Sequence, residues 1–173
     1  MGKKYKIILG IVFLPFTILF FVFKFLWKVL RNKFAYKYLN TISIEKIDSL
    51  DGRGLEDFLY YYLTSLGFKV KKTKHSHDYG ADLIVEFQKK IIVIQCKLYY
   101  NHSVGNSAIQ EIATAKNYYN ALKAIVITNS YFTNSAITLS KASDVTLIDR
   151  NIFASLLGKS KANTLSQIKS LFI

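Results

Sequence analysis

Three polar side chains lie in segments that otherwise read as apolar β-strands. Asp82 is in the run Gly80–Phe87, and Gln95 and Lys97 are in the run Ile91–Leu98. Side chains alternate between the two faces of a strand, so Gln95 and Lys97 point to the same side. Burying a carboxylate or an ammonium is costly unless it is paired or binds something. We therefore interpret the three residues as a candidate site, assembled where two strands of a hairpin lie side by side.

The chemistry that suits a carboxylate, an amide and an ammonium is hydrolysis of a phosphodiester bond. A hard divalent cation binds oxygen ligands, which Asp82, the Gln95 side chain and the backbone carbonyl of Cys96 can offer. Lys97 can orient or deprotonate the attacking water, or stabilise the charged transition state. Glu56, just off the apolar face of an earlier helix, is a fourth candidate. The same spacing also permits a simple cross-strand ion pair between Asp82 and Lys97 on a solvated face.

Periodic apolar residues predict the elements that must position this site. Leucines and aromatic residues recur at helical spacing from Leu55 to Leu66, with Asp51 as N-cap and Gly67 as C-cap. The other predicted elements are strands at Phe68–Thr73, Gly80–Phe87, Ile91–Leu98, Ala124–Thr128 and Val145–Asp149, and helices at Ala108–Tyr119, Ser135–Ala142 (capped by Thr133 or Asn134), Asn151–Leu157 and Thr164–Phe172. The late alternation of strand and helix predicts an α/β fold with parallel strands and helices on the sheet faces.

Charge and cysteine content narrow the class of protein. The chain has 173 residues and a net charge of +13, but residues 1–40 contain eight Lys or Arg and no acid, which leaves +5 for the rest. A surplus of this size suits a polyanionic partner, although many soluble domains carry as much without binding nucleic acid. Cys96 is the only cysteine, so an intrachain disulfide and a thiolate zinc site are both excluded. A reducing, cytosolic setting is the simpler interpretation.

The first 40 residues predict a single membrane-spanning helix with a basic flank. A helix over residues 7–30 would be about 36 Å long at ~1.5 Å per residue, enough for a hydrocarbon core of about 30 Å. Lys24 lies near its end and Trp27 suits the interface. Five basic residues follow the uncharged run of residues 7–23 and three precede it, which favours a cytoplasmic domain. A cleaved signal peptide and a buried core helix are the alternatives, but no small-residue cleavage site follows the apolar run.

Several ordered blocks around the three polar residues resemble one family. Asp82 followed by Gln95-Cys96-Lys97 resembles the Asp…Gln-x-Lys form of the PD-(D/E)xK signature in the Mrr branch of restriction endonucleases. The other blocks that resemble this family are Asp51–Glu56, Leu66–Val70, Asp78–Leu83, Val104-Gly105 with Gln110-Glu111, Val126–Asn129 with Phe132-Thr133 and Ala136, and Leu147–Asp149. The resemblance covers roughly residues 45–158.

The resemblance implies a restriction-endonuclease-like mixed sheet of four or five strands flanked by helices, and Mg²⁺- or Mn²⁺-dependent cleavage of DNA. It carries over Glu56, Asp82, Gln95 and Lys97 as active-site residues, and Gln110 as a weaker candidate. Gln95 replaces the usual second acid, which lowers the expected metal affinity. A homodimer is expected, because cutting both strands usually needs two active sites. A role in restriction of foreign DNA is an analogy with the family.

Further contacts to DNA are expected near the site. Lys72 and Lys74 precede the Asp82 strand and could bind phosphates, or they could form a solvated basic edge that deters strand pairing. Tyr99 follows Lys97 closely and could stack against DNA.

The expected organisation is a membrane anchor and basic flank over residues 1–40, a nuclease domain over 41–158 and a helical tail over 159–173. Two other functions fit less well. One is a non-catalytic, membrane-tethered DNA-binding module that keeps the nuclease fold, and the other is a secreted nuclease with a cleaved signal.

Overall fold

The computed structural model describes residues 19–27, 30, 37, 39, 41–73 and 79–172. Residues 19–27 are helical and their side chains are exposed. The predicted membrane span extends from residue 7 to residue 30, and most of it lies outside the described residues. Within the described part of the chain, no helix combines the length and the apolar character needed to cross a membrane.

A single five-stranded mixed sheet forms the centre of the fold. Its strands are β1 (Lys69–Lys72), β2 (Leu83–Phe87), β3 (Lys90–Lys97), β4 (Lys123–Thr128) and β5 (Val145–Ile148), in the spatial order β1-β2-β3-β4-β5. The first three strands pair antiparallel, and β3, β4 and β5 pair parallel. Helices connect the parallel strands, as a parallel pairing requires. The predicted mixed α/β sheet flanked by helices is confirmed.

Helices cover both faces of the sheet, and the sheet separates two hydrophobic cores. They are α1 (Ile44–Asp48), α2 (Gly52–Leu66), α3 (Asn106–Tyr118), α4 (Asn134–Ala142), α5 (Arg150–Leu156) and α6 (Lys161–Phe172). One core packs α1, α2, α5 and α6 on one face of the sheet, with Ile94 and Ile125 from the strands. The other core packs α3 and α4 on the opposite face, with Val93 and Val126 from the strands. The two sets alternate along the strands, because successive side chains point to opposite faces.

Local signals in the sequence fix the ends of several helices. The Asp51 carboxylate accepts a hydrogen bond from the backbone N–H of Gly54, and Gly67 ends α2 in the left-handed region at φ 103°. Both caps were predicted. The Thr133 hydroxyl caps α4 by accepting from the N–H of Ala136. Of the two predicted caps for this helix, Thr133 is therefore the correct one.

The β2–β3 hairpin is confirmed, but its first strand is shorter than predicted. Gln88 and Lys89 both have positive φ, 50° and 64°, which is the geometry of a two-residue turn with its right-handed twist. The predicted strand Gly80–Phe87 starts only at Leu83. The reason is at Gly80, where φ is 93° and the chain turns so closely against α3 that an added Cβ would lie 2.6 Å from a backbone oxygen of that helix.

Candidate active site

Asp82, Gln95 and Lys97 come together where β2 begins and β3 ends. The pairing of Leu83 with Ile94 places Asp82 level with Gln95, and the Asp82 N–H donates to the Ile94 carbonyl at 2.9 Å. The Asp82 Oδ2 accepts a hydrogen bond from the backbone N–H of Cys96 at 2.7 Å. The carboxylate is thereby held against the segment that carries the other two polar side chains.

Helix α3 adds an acid that the sequence analysis did not assign to the site. The Glu111 Oε2 accepts hydrogen bonds from Gln95 Nε2 at 2.6 Å and from Lys97 Nζ at 3.0 Å. The close approach of Gly80 to α3 is to the backbone of Glu111 itself. This close contact between Gly80 and Glu111 therefore fixes how closely α3 packs against β2 and β3. Lys97 is paired with this glutamate.

The contact with Glu111 fixes which way the Gln95 amide lies. A carboxylate can only accept, so the amide must turn its NH₂ group toward Glu111 and its oxygen away. Gln95 is 3% exposed, and among the described residues its Oε1 is a buried oxygen with no hydrogen-bond partner. A buried acceptor without a partner costs roughly 1–3 kcal/mol. This oxygen is therefore available to accept a hydrogen bond or to act as a ligand atom.

Glu56 and Lys72 lie near Cys96, and Glu56 is on α2, which packs on the face of the sheet opposite to α3. Glu56 lies on α2 with its side chain 14% exposed, and one of its oxygens is 3.7 Å from Lys72 Nζ. Lys72 also donates to Asp57 at 2.8 Å, and this hydrogen bond raises the pKa of the ammonium. Burial raises the pKa of the Cys96 thiol well above its usual range, and Asp82 and Glu56 raise it further. Cys96 is therefore a neutral thiol.

Three further residues, Gln110, Tyr99 and Lys74, were predicted to contact DNA, and the structure describes the first two. Gln110 is exposed on α3 beside Glu111. Tyr99 stacks its ring on His102, with 4.2 Å between ring centroids, and its backbone N–H donates to Asn129. Lys74 lies outside the described residues. Tyr99 belongs to the wall of a cavity next to Lys97, which was not anticipated as a distinct feature.

The donor set fits a magnesium-like ion better than a softer metal. Among the residues that the structure describes, no three His, Cys, Asp or Glu side chains are grouped closely enough to hold a metal. Mg²⁺ needs fewer protein ligands, because it is usually bound through one or two carboxylates together with waters and substrate phosphates. The Asp82 carboxylate and the unpartnered Gln95 Oε1 are hard oxygen donors of this kind.

Comparison with known protein families decides the relationship of the chain. A family model described as a restriction endonuclease, Mrr_cat, matches residues 47–157. The chain belongs to this restriction endonuclease family. The resemblance seen in the sequence is confirmed. Comparison with curated proteins finds no significant match.

Among solved structures that align with the chain, one supports the fold with a TM-score above 0.5. The DNA modification-dependent restriction endonuclease AspBHI aligns with a TM-score of 0.54 at 18% identity, over 80% of this chain and 38% of that protein. MspJI restriction endonuclease, solved in complex with a 27-mer oligonucleotide, aligns with a TM-score of 0.38 at 14% identity, over 84% and 36%. A protein of unknown function, AF1548, gives 0.49 at 14% identity, over 66% and 65%. The chain thus spans less than two fifths of the two restriction enzymes.

Within the family fold, Glu111 is the residue that sequence reasoning missed. It lies in a block that resembles the family, next to the weaker candidate Gln110. The only signal that could have found it is its position on the first turns of a helix that follows the lysine strand directly. Gln110 was chosen instead, and the structure turns Glu111 toward Gln95 and Lys97.

Proposed function

We propose that this chain is a divalent-metal-dependent endonuclease that hydrolyses phosphodiester bonds in DNA. The observation that carries the proposal is the buried Gln95 Oε1, which has no partner among the described residues and belongs to the cluster of Asp82 and Lys97, in a chain of the restriction endonuclease family. A structural polar cluster would satisfy its buried acceptors. Among the described residues, the Gln95 Oε1 of this cluster has no donor, which suits an oxygen that binds a ligand.

Asp82 and Gln95 would hold the metal, with the Cys96 backbone carbonyl as a third donor. The chemistry that a divalent cation supplies there is Lewis-acid polarisation and charge neutralisation at a phosphate oxygen. The hydrogen bond from the Cys96 N–H to Asp82 Oδ2 restricts the carboxylate to one orientation. Pre-ordering of this kind lowers the cost of arranging the ligands when substrate arrives.

Lys97 would act on the phosphate and on the attacking water. Its ammonium is a fixed positive charge aimed at the place where negative charge grows during hydrolysis. Glu111 accepts from both Lys97 and Gln95, so it is a positioning residue that aligns the ammonium and the amide together. It also returns to the site a negative charge that Gln95, in place of an acid, does not provide. Glu56 is the remaining carboxylate able to accept a proton near the water.

DNA is the proposed substrate, with Lys72 and Lys74 as phosphate contacts, Gln110 and Tyr99 as weaker ones, and a homodimer as the form that cuts both strands.

We also propose that residues 1–40 anchor the protein in the cell membrane with the nuclease domain, residues 41–158, on the cytoplasmic side and residues 159–173 as its tail. Three basic residues precede the uncharged run of residues 7–23 and five follow it, and this asymmetry supports the orientation. Restriction of foreign DNA is the proposed role.

The test is cleavage of plasmid DNA by the full-length chain, purified in a mild detergent, with Mg²⁺ or Mn²⁺. We expect nicking or linearisation that stops with EDTA and falls about 10²- to 10⁴-fold in Asp82→Ala and in Lys97→Ala. Lys116→Ala is the matched control, since Lys116 also pairs with an acid, Asp144 at 2.7 Å, but at the C-terminal end of α3 and not with Gln95 or Lys97. It should cut like the parent.

The alternative is a non-catalytic DNA-binding module with the same fold. It would be supported if the folded parent retarded DNA in a gel yet cut no plasmid, methylated duplex or single strand with either metal. Equal residual cutting by the parent and both site variants would instead indicate a contaminating nuclease and would contradict the assignment of the site.

A further inference from the structure

A cavity of about 510 Å³ opens beside the end of β3, and its first lining residue, Tyr99, is two residues after Lys97. Its walls come from the segment after β3, residues 99–103, from the segment after β4, residues 129–131, and from Asp48 and Arg150. The cavity therefore lies at the carboxyl ends of two parallel strands, where ligands commonly bind in α/β sheets. Its volume is within the ~300–1,000 Å³ range of small-molecule sites.

Three tyrosines, Tyr99, Tyr100 and Tyr131, contribute to the lining of this cavity. Tyr100 is 57% exposed and Tyr131 is 47% exposed, yet both rings are anchored. The Tyr100 hydroxyl donates to the Leu50 carbonyl at 2.6 Å, and the Tyr131 hydroxyl bonds to the Asn151 side chain at 3.3 Å. Anchoring by the hydroxyl limits the motion of each ring and leaves its faces accessible. Little conformational entropy is then lost when a flat ligand stacks on them.

The charges in the cavity are already neutralised. Arg150 donates through Nη1 and Nη2 to both carboxylate oxygens of Asp48, at 2.7 and 2.8 Å, and through Nη1 to the Asn129 carbonyl at 2.9 Å. A phosphate pocket would present uncompensated positive charge. A neutral, planar, aromatic ligand with hydrogen-bonding edges fits this cavity better. Such a ligand is a nucleobase.

The position of the cavity connects that nucleobase to the reaction. Tyr99 is two residues after Lys97, so their Cα atoms are at most about 7 Å apart at ~3.3–3.6 Å per residue. A base in the cavity would belong to a nucleotide beside the phosphate at Lys97. In a duplex, both faces of a base are covered by stacking, so only an unpaired or extruded base could enter.

We propose that the cavity lined by Tyr100 and Tyr131 binds an unpaired base of the DNA strand being cut, so that the preferred substrate has unpaired nucleotides beside a duplex. This inference rests on the proposed nuclease function for the link between the base and the scissile phosphate. Binding of the base itself needs no metal and no cleavage. The two ideas can therefore fail separately.

The test measures binding of the full-length chain, in detergent and EDTA, to fluorescent duplexes with a four-nucleotide gap. One duplex has thymidines in the gap and the other has abasic residues. Stacking on aromatic side chains contributes to affinity by about 5- to 150-fold per base. We expect the parent to bind the thymidine gap at least about fivefold more tightly. The double variant Tyr100→Ala/Tyr131→Ala should bind both gaps equally.

Three controls make the result decisive. Tyr61→Ala removes a tyrosine that is also 57% exposed but lies on α2, and it should keep the preference for thymidine. Tyr100→Phe/Tyr131→Phe keeps both rings and should retain most of the preference. Thermal unfolding shows whether the double variant is folded. The proposal is overturned if the parent binds both gaps equally, or if the folded double variant keeps the preference. Plasmid cleavage by the parent in either case would leave the nuclease proposal standing.

Discussion

Gln95 and Asn129 are two buried amides in neighbouring parts of the sheet, each 3% exposed, and they are treated in opposite ways. The Asn129 Oδ1 accepts from the Tyr99 N–H at 2.9 Å, and its Nδ2 donates to Asp48 at 2.9 Å and to the Tyr99 carbonyl at 3.1 Å. Gln95 donates to Glu111, but its oxygen has no partner among the described residues. One amide has both ends bonded and the other only one.

The difference separates structure from function within one polar region. Asn129 joins the ends of β3 and β4 and supports the Asp48–Arg150 pair, so its hydrogen bonds are fully used in holding the chain together. Gln95 lies one strand away and keeps an acceptor open at a cost in stability. A site that must bind a ligand carries such a cost before the ligand arrives. Changing each amide should therefore affect a different property.

The largest expected effect is the loss of stability in Asn129→Ala. Three hydrogen bonds disappear, and the Tyr99 N–H and the Asp48 carboxylate each lose a partner. We expect the free energy of unfolding to fall by about 3 kcal/mol, at roughly 1 kcal/mol for each hydrogen bond. Urea unfolding measures it, with exposed Asn163→Ala as the control, which should stay within about 0.5 kcal/mol of the parent. A loss below 1 kcal/mol would mean that this amide is not structural.

Gln95→Leu should show the reverse. Leucine has a similar volume and removes a buried oxygen that has no partner among the described residues. It also removes the hydrogen bond to Glu111, but that carboxylate is half-exposed and keeps Lys97 as a partner, so the free energy of unfolding should stay within about 1 kcal/mol of the parent. Plasmid cleavage should fall about 100-fold, the usual cost of removing one group that acts on the transition state. The comparison fails if Gln95→Leu loses stability and activity in parallel, because that result would make Gln95 a structural residue like Asn129.

The parts of this fold that sequence predicts are those set by local chemistry. Asp51 and Gly67 mark the two ends of α2 because capping depends on a few adjacent residues. The parallel arrangement of β3, β4 and β5 follows from their helical connections. Two polar side chains in a short apolar strand indicate Gln95 and Lys97 as candidate site residues; their role stays a prediction, and the structure brings both side chains together at Glu111.

The parts that sequence misses depend on contacts between distant elements. Glu111 is 14 residues from Lys97 and on the surface of a helix, where a glutamate usually faces water. Only the packing of α3 against Gly80 turns it toward the site. Asp48 and Arg150 are 102 residues apart, so no spacing rule predicts their pair. The turn at Gly80 is likewise the reason why Asp82 lies before the first residue of β2 and not within the strand.

A smaller effect is expected from Glu111, because it acts through Gln95 and Lys97. Glu111→Ala should lower plasmid cleavage about 10-fold, within the range for residues that orient metal ligands. Glu111→Gln should be closer to the parent, since its side-chain oxygen can still accept from the Gln95 amide. Stability should change little, because Glu111 is largely exposed. Glu86→Gln, which breaks another exposed pair, with Lys69, is the control. Equal cleavage by Glu111→Ala and the parent would exclude the positioning role.

The smallest expected effect is a pH dependence of the free energy of unfolding that comes from the Asp48–Arg150 pair. The hydrogen bond from Arg150, with a further one from Asn129, holds the pKa of Asp48 below its usual value. A carboxyl whose pKa is lower in the folded state stabilises the fold above its unfolded pKa of about 4, and this is lost as pH falls through the folded value.

The unfolding free energy of the parent should therefore exceed that of Asp48→Asn by a constant amount between pH 7 and about pH 5, and the excess should shrink below about pH 4. Urea unfolding at pH 7, 5, 4 and 3 measures the difference. Asp57→Asn is the matched control, since Asp57 pairs with Lys72 but is 55% exposed, and its difference should be near zero at every pH. An excess that persists unchanged to pH 3 would show that the Asp48 contacts stabilise the fold through geometry alone. The stabilisation in this region would then come from the hydrogen bonds of Asn129 and not from the charge of Asp48.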